Sequence, residues 1–320
     1  MIIWLASYPK SGNTWIRSII CSMLYSRNGL FDFNLLEKIK QFPSRKSFKD
    51  FTSDFQNINE LKKFWIIAQE KINLDQKIKF CKTHHINCKI DNFSFTNKSN
   101  TLATIYIVRD PRNLVTSISN HFSKSLEESK KFLFTNKVIG TKNVSLNNNE
   151  ILTPLGSWSD HYNYWTNKNE NLLVIRYEDL IYDINKEFNK LKNFLANYIS
   201  LEINDEKKKN IIESTSFTHL QNMEKRGLFK ESVFDKKVPI KKQFFHQGPK
   251  NNWQLSLNNK IKDEIETKFH KEMSELGYNY RITDIQAALG NSQLNKIDKF
   301  FKYRNDIAQI YDKGFSNNSL

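Results

Sequence analysis

The chain has 320 residues, with 49 Lys+Arg against 34 Asp+Glu (a formal net charge of +15) and 39% hydrophobic residues. That balance excludes a collagen, a coiled coil and a wholly disordered chain, and no run of about 18 apolar residues is present to cross a membrane as a helix. The excess of cations suits an anionic partner. It is equally what a general Lys and Asn bias would give, and the cations are not clustered as nucleic-acid binding would require.

The apolar run MIIWLASYP opens the chain with no basic segment before it and no small-residue cleavage site after it. It reads as a first strand over 2–8 and not as a signal peptide, which points to the cytoplasm. Three sparse cysteines, Cys21, Cys81 and Cys88, agree with reduced thiols. A helix follows over 14–26, with apolar residues near 3.6 spacing. Further strands are predicted at 78–83, 102–109 and 172–177. Helices are predicted over 112–122 with Pro111 at the first turn, from Thr153-Pro154 through Trp165, and over 184–197 and 205–214. Residues 226–252 read as a long loop, and a helix resumes over 258–276. Short strands alternating with helices predict an α/β fold, a parallel central sheet flanked by helices, with ligands at the strand C-termini.

Between the first strand and helix lies Tyr8-Pro9-Lys10-Ser11-Gly12-Asn13-Thr14-Trp15. A glycine-containing turn entering a helix aims several backbone N–H groups at one spot, and the helix dipole favours an anion there. Lys10 adds a mobile charge, Ser11 and Thr14 add hydroxyls, and Trp15 offers a ring for stacking on a base. The order is not that of a Walker A loop, where the Lys follows the last Gly. A plain strand–turn–helix is the bland alternative. At the end of the third strand stands Val108-Arg109-Asp110-Pro111-Arg112. Arg109 and Ser117 can converge on a phosphate, or Arg109 can close the turn by pairing with Asp110.

With both motifs in hand, the sequence resembles the soluble sulfotransferases that use 3′-phosphoadenosine 5′-phosphosulfate (PAPS). YPKSGNTW is similar to that family's 5′-phosphosulfate loop and IVRDPRNLVTS to its 3′-phosphate segment. Lys82-Thr83-His84 is similar to the stretch with the catalytic His, and GSWSDHYNYW to the Trp-bearing helix. Arg176-Tyr177-Glu178-Asp179-Leu180 and Thr215-Ser216-Phe217 complete six matches in order over about 1–278. The resemblance implies a P-loop-like sulfotransferase fold and sulfuryl transfer from PAPS to an acceptor hydroxyl or amine, leaving the bisphosphate PAP. It implies Lys10, Lys82 and His84 as catalytic residues, with His84 as the general base. Pro9, Ser11, Gly12, Asn13, Thr14, Trp15, Arg109, Ser117, Tyr177, Thr215, Phe217 and Gly248 would bind the cofactor, Trp15 and Phe217 sandwiching the adenine and Tyr177 and Thr215 bonding its edge. No metal is implied. Glu178-Asp179 reads as a strand end with a helix-starting carboxylate, not as an acidic pair for Mg²⁺.

One stretch departs from the family. Where it has Arg-Lys-Gly before Gly-Asp-Trp, this chain has His246-Gln247-Gly248 before Asn251-Asn252-Trp253, and Lys250 is the candidate to restore one charge. The family's dimer motif is not recognisable, so the oligomeric state is left open. Cys81, His84, His85 and Cys88 have the types of zinc ligands but too tight a spacing on a strand to converge, leaving His85 as a neighbour of the site. Residues 277–320 resemble instead a segment of the PLP-dependent sugar aminotransferases, without the Schiff-base lysine segment, so no PLP is expected. The chain therefore reads as a sulfotransferase domain over 1–278 and a helical appendage over 279–320, with an amphipathic helix at 293–311 and a possible gene fusion between them. That fragment hints at a carbohydrate acceptor, with another small molecule as the alternative. Two rival readings of the whole remain: a small-molecule kinase, and a degenerate, non-catalytic sulfotransferase.

Overall fold

The structure is a computed structural model that describes residues 1–140, 151–167, 171–229, 231, 243–279 and 284–316. The chain divides into two compact units, Met1–Glu272 and Met273–Leu320. The first is built on a five-stranded parallel sheet: β1 (Ile2–Ser7), β2 (Lys40–Gln41), β3 (Lys79–Thr83), β4 (Thr101–Val108) and β5 (Leu172–Arg176), in the order β2-β3-β1-β4-β5. Parallel strands covered on both faces need continuous apolar sequence, and β1 (IIWLAS) is buried at every position. Because β1 is central, the chain leaves it to one side for β3 and to the other for β4. This reversal opens a crevice beyond the strand C-termini, where open α/β sheets place their ligands.

The helices that frame the crevice start at local signals. α1 (Asn13–Tyr25) starts behind Gly12, whose φ of 101° closes the turn in a conformation that favours glycine. α2 (Pro111–Phe122) has Pro at its first position, and its cap Asp110 accepts from Arg112 N–H at 2.9 Å. α3 (Trp158–Thr166) starts later than predicted. Thr153-Pro154 instead pairs antiparallel with Val138-Ile139, and Ser157 caps the helix by accepting from Asp160 N–H at 3.1 Å. The fourth predicted strand ends at Arg176, and Tyr177 opens a short helix, α4 (Tyr177–Tyr182). α5 (Ile184–Ala196) and α6 (Asp205–Ser214) follow as predicted.

α7 (Phe217–Lys225) lies where no helix was predicted. Ser216 caps it, accepting from His219 N–H at 3.3 Å, so the TSF motif is a helix start. In the predicted long loop, Gly248–Lys250 forms a 3₁₀ turn, whereas 230 and 232–242 lie outside the described residues. The single helix predicted over 258–276 is two, Asn259–Lys268 and His270–Glu275, interrupted at Phe269 (φ −112°, ψ 22°). In the second unit the predicted 293–311 helix is replaced by Asp284–Leu294 and Ile297–Ser316, the latter with no buried residue.

Candidate active site

One cavity of about 1420 Å³ lies at the C-terminal edge of the sheet. It brings together Pro9, Lys10, Gly12, Asn13, Thr14 and Trp15 after β1, Lys82 and His84 after β3, Arg109 after β4 and Tyr177 after β5. Ser117 from α2, Phe217 from α7 and Gly248 line it as well. Two predicted residues do not reach it. Ser11 is fully buried behind the loop, and Thr215 is 1% exposed with its hydroxyl donating to the Ile211 carbonyl at 2.7 Å. An adenine-edge contact from the Thr215 side chain is therefore not supported.

The loop is tightly shaped. A Cβ on Gly12 would come within 2.5 Å of the Tyr177 ring, so glycine is required both by its φ and by that close approach. Trp15 is buried, not exposed as its stacking role assumed; its ring meets Tyr177 edge-on at 5.6 Å. Lys10 itself has a φ of 69°, and its ammonium lies 3.6 Å from the centre of the Phe244 ring. Burial and then the neighbouring Arg109 push its pKa down to about 7, with Glu224 pulling the other way and Lys82 adding a last, smaller push down.

Arg109 does not pair with Asp110. Asp110 is held by Arg112, which also pairs with Glu266 at 2.7 Å and stacks over Trp253 at 4.2 Å. Arg109 donates to the Lys10 carbonyl at 3.2 Å, and its guanidinium sits 4.2 Å over the Tyr177 ring. Its buried Nε has no partner among the described residues. A desolvated guanidinium left without a carboxylate is a site for an incoming anion. Glu178 accepts from Asp110 N–H at 3.1 Å and Asp179 pairs with Arg176 at 3.4 Å, so this acidic pair braces the backbone.

His84 Nδ1–H donates to the Ser7 carbonyl at 2.7 Å. A carbonyl can only accept, so this bond fixes the tautomer and leaves Nε2 with its lone pair. Burial and the charge of Lys82 hold the His84 pKa down, to about 3, so the ring is neutral. Two supports were not legible in the sequence. Asn13 Nδ2 donates to Leu5 O and to Ser7 Oγ, at 3.0 and 3.2 Å. His161 Nε2 donates to the His84 carbonyl at 3.2 Å and accepts, on Nδ1, from the Tyr106 hydroxyl at 2.9 Å. His161 was readable as part of GSWSDHYNYW, but not as a brace for His84.

His85 points the other way. It stacks on Phe95 at 3.9 Å and its Nδ1–H donates to Ile86 O, so it belongs to the aromatic core. Among the described residues no group of three or more His, Cys, Asp or Glu is placed to hold a metal ion. Glu231, also unanticipated, lines the cavity and bridges Arg17 and Lys82, the latter at 3.7 Å. Burial raises its pKa, but Lys82 and Arg17 outweigh this and hold the carboxyl below its ordinary value.

The departing stretch keeps its place. His246, Gln247, Gly248 and Asn251 line the cavity, and Gln221 Nε2 holds the Phe245 and His246 carbonyls at 2.6 and 3.0 Å. A Cβ on Gly248 (φ 52°) would collide with the Phe217 ring at 2.2 Å. Lys250 is exposed and does not line the cavity, so it does not restore the missing charge. Among the described residues, no helix is long and apolar enough to cross a membrane.

Residues 2–277 match the sulfotransferase domain family, and the chain belongs to that family. It is an enzyme of the sulfotransferase class. Sulfotransferase 1E1 of Rattus norvegicus is 26% identical over 287 residues, spanning 87% of this chain and 85% of that protein. Cytosolic sulfotransferase 1 of Danio rerio is 22% identical over 286 residues, 87% of this chain and 85% of its own. The mouse sulfotransferase SULT7A1, solved with PAP, shares the fold at a TM-score of 0.52 and 20% identity, covering 92% of this chain and 88% of that one. Residues 254–320 match the DegT/DnrJ/EryC1/StrS aminotransferase family. There a UDP-4-amino-4,6-dideoxy-N-acetyl-beta-L-altrosamine transaminase of Campylobacter jejuni is 51% identical over 47 residues, 15% of this chain and 12% of that enzyme.

Proposed function

We propose that this protein transfers a sulfuryl group from PAPS to an acceptor hydroxyl, with the chemistry carried by residues 1–278 and no catalytic part for 279–320. The observation that carries the reading is the convergence, in one cavity, of the Lys10 loop, Lys82, a neutral His84 and a carboxylate-free Arg109. The loop and Arg109 bind the two phosphate-bearing ends of the donor, the 5′ and 3′ ends respectively, with Ser117 beside Arg109. Trp15, Tyr177 and Phe217 surround the base.

In the transfer, the bond between sulfur and the bridging oxygen breaks as a bond from the acceptor oxygen to sulfur forms. His84 Nε2 takes the acceptor proton. Lys10, protonated beside the dianionic 5′-phosphosulfate, neutralises the charge that stays on the bridging oxygen, and Lys82 faces the sulfuryl oxygens. Loose, in-line transfers of this kind depend on positioning and on charge stabilisation, which these residues supply. A cytoplasmic setting fits the same reading.

Calorimetric titration with PAP, beside ATP and 5′-AMP with and without Mg²⁺, is the test. Tight, metal-independent binding that needs the 3′-phosphate supports the reading. A preference for Mg-ATP would favour a kinase, and no binding by folded protein would favour a degenerate sulfotransferase.

A further inference from the structure

The cavity does not end at His84. It continues along β3, where β2 pairs with β3 only at Cys81 and Lys82. Lys38, Lys40, Lys46, Lys71, Lys77 and Lys79 line this arm. Lys71 pairs with Asp50 at 2.7 Å and Lys79 with Asp75. Lys38, Lys40, Lys46 and Lys77 are exposed and have no ion-pair partner among the described residues. Among the described residues, the cavity is lined by nine Lys and Arg against two acids, Asp50 and Glu231. The chain as a whole has 49 against 34, so general lysine richness does not account for the imbalance. Extended strand rises ~3.3 Å per residue, so the consecutive lining residues Lys79 to Lys82 alone span about 10 Å along β3.

An arm of that length and charge is mismatched to a small neutral phenol. Its other polar lining, Gln41, Ser44 and Ser47, suits hydroxyl groups. It offers one well-exposed ring, Tyr25 at 41%, where base stacking along a nucleic acid would need a series. We propose that this arm is the acceptor channel, and that the acceptor is an extended anionic carbohydrate, a chain of hydroxyl-bearing sugars with carboxylates at intervals. This rests on the sulfuryl-transfer reading above.

The full-length protein, saturated with PAP, would be titrated with an alginate-derived oligouronate, a neutral dextran oligosaccharide of equal length and UDP-N-acetylglucosamine. The oligouronate is expected to bind best, with affinity that falls as salt rises. The variant Lys38→Gln/Lys40→Gln/Lys77→Gln should weaken it at least about tenfold, while Lys225→Gln/Lys260→Gln/Lys268→Gln, exposed lysines outside the cavity, should change it less than about twofold. Equal losses in the two variants would show general charge attraction and overturn the proposal. So would equal binding of dextran, or of the single nucleotide sugar. PAP affinity, measured separately in each protein, reports the donor site alone. Its failure would refute the transferase reading, whereas intact PAP binding without oligouronate binding refutes only the acceptor assignment.

Discussion

The two ends of the cavity are built in opposite ways. At the proposed donor end each side chain is buried or half-buried and held by a specific neighbour: Lys10 over Phe244, Arg109 over Tyr177, His84 on the Ser7 carbonyl. At the proposed acceptor end the lining is lysine, five of the six exposed and Lys79 half-buried, with Lys71 and Lys79 paired to aspartates. Burial holds the pKa values of Lys10 and His84 down, whereas the lysines of the second group stay in contact with solvent. A donor site of this kind is specific for one ligand geometry. A solvated lysine arm selects for charge and tolerates variation in shape.

The largest effect that would test this contrast is at His84. His84→Ala should lower transfer to an alcohol by about 10²–10⁴-fold, the range for a general base, with PAP affinity little changed. Retained turnover would mean that another group takes the proton. Because the conjugate acid lies near 3, His84 is a free base throughout the neutral range. The pH–rate profile should therefore show no acid limb from His84 above about pH 5. Next comes Lys10→Ala, expected to cost about 10²–10³-fold in turnover, as for loss of a single charge-stabilising donor. Its effect on PAP binding should be much smaller, since the charge matters most as the leaving group develops. Comparable losses in both would make Lys10 a binding residue only.

A third test uses proton uptake. Lys10 titrates near 7 because it is buried beside Arg109 and Lys82. An anion bound against it favours the charged form, so its pKa rises on binding. With a binding preference for the charged form of no more than about tenfold, in keeping with the small binding effect of Lys10→Ala, PAP binding should take up about 0.4 of a proton at pH 7 and at pH 8, and affinity should fall by about sixfold in all above pH 7. Calorimetry in buffers of different ionisation enthalpy measures the uptake. An unchanged uptake in Lys10→Met would assign the proton to another group.

The difference between the two ends also explains what could be read in advance. The donor site rests on local motifs, each a strand end followed by a turn or helix start, so Gly12, Lys10, Arg109 and His84 stood out from spacing and resemblance. The supports did not. His161 reaches the His84 carbonyl from 77 residues away in sequence, and Glu231 bridges Arg17 from 214 residues away. Nothing local marks such pairings. Thr215 shows the converse: its motif was visible, but whether the side chain faced the cavity or the core was set by packing. The sheet was legible because its strands are continuous apolar runs. α7 was missed because a Ser cap after a Thr resembles a turn, and the lysine arm because β2, which borders it, has only two residues.

The smallest effect probes the one weak point of the donor end. His246 and Gln247 line the cavity where the resemblance expects two cations, and Lys250 lies outside it. On the proposed reading, the 3′-phosphate then relies on Arg109, Ser117 and the backbone near Gly248. His246→Arg/Gln247→Lys adds two cations on exposed positions, with no core to disturb. Partly solvated charge–phosphate contacts are worth about 0.5 kcal/mol each, so the two together should make PAP bind about fivefold tighter. The gain should vanish for 5′-AMP, which lacks the 3′-phosphate. Tightening of both ligands alike would mean that the new charges act through the general field of the cavity, and the donor end would then resemble the lysine arm more than its buried geometry suggests.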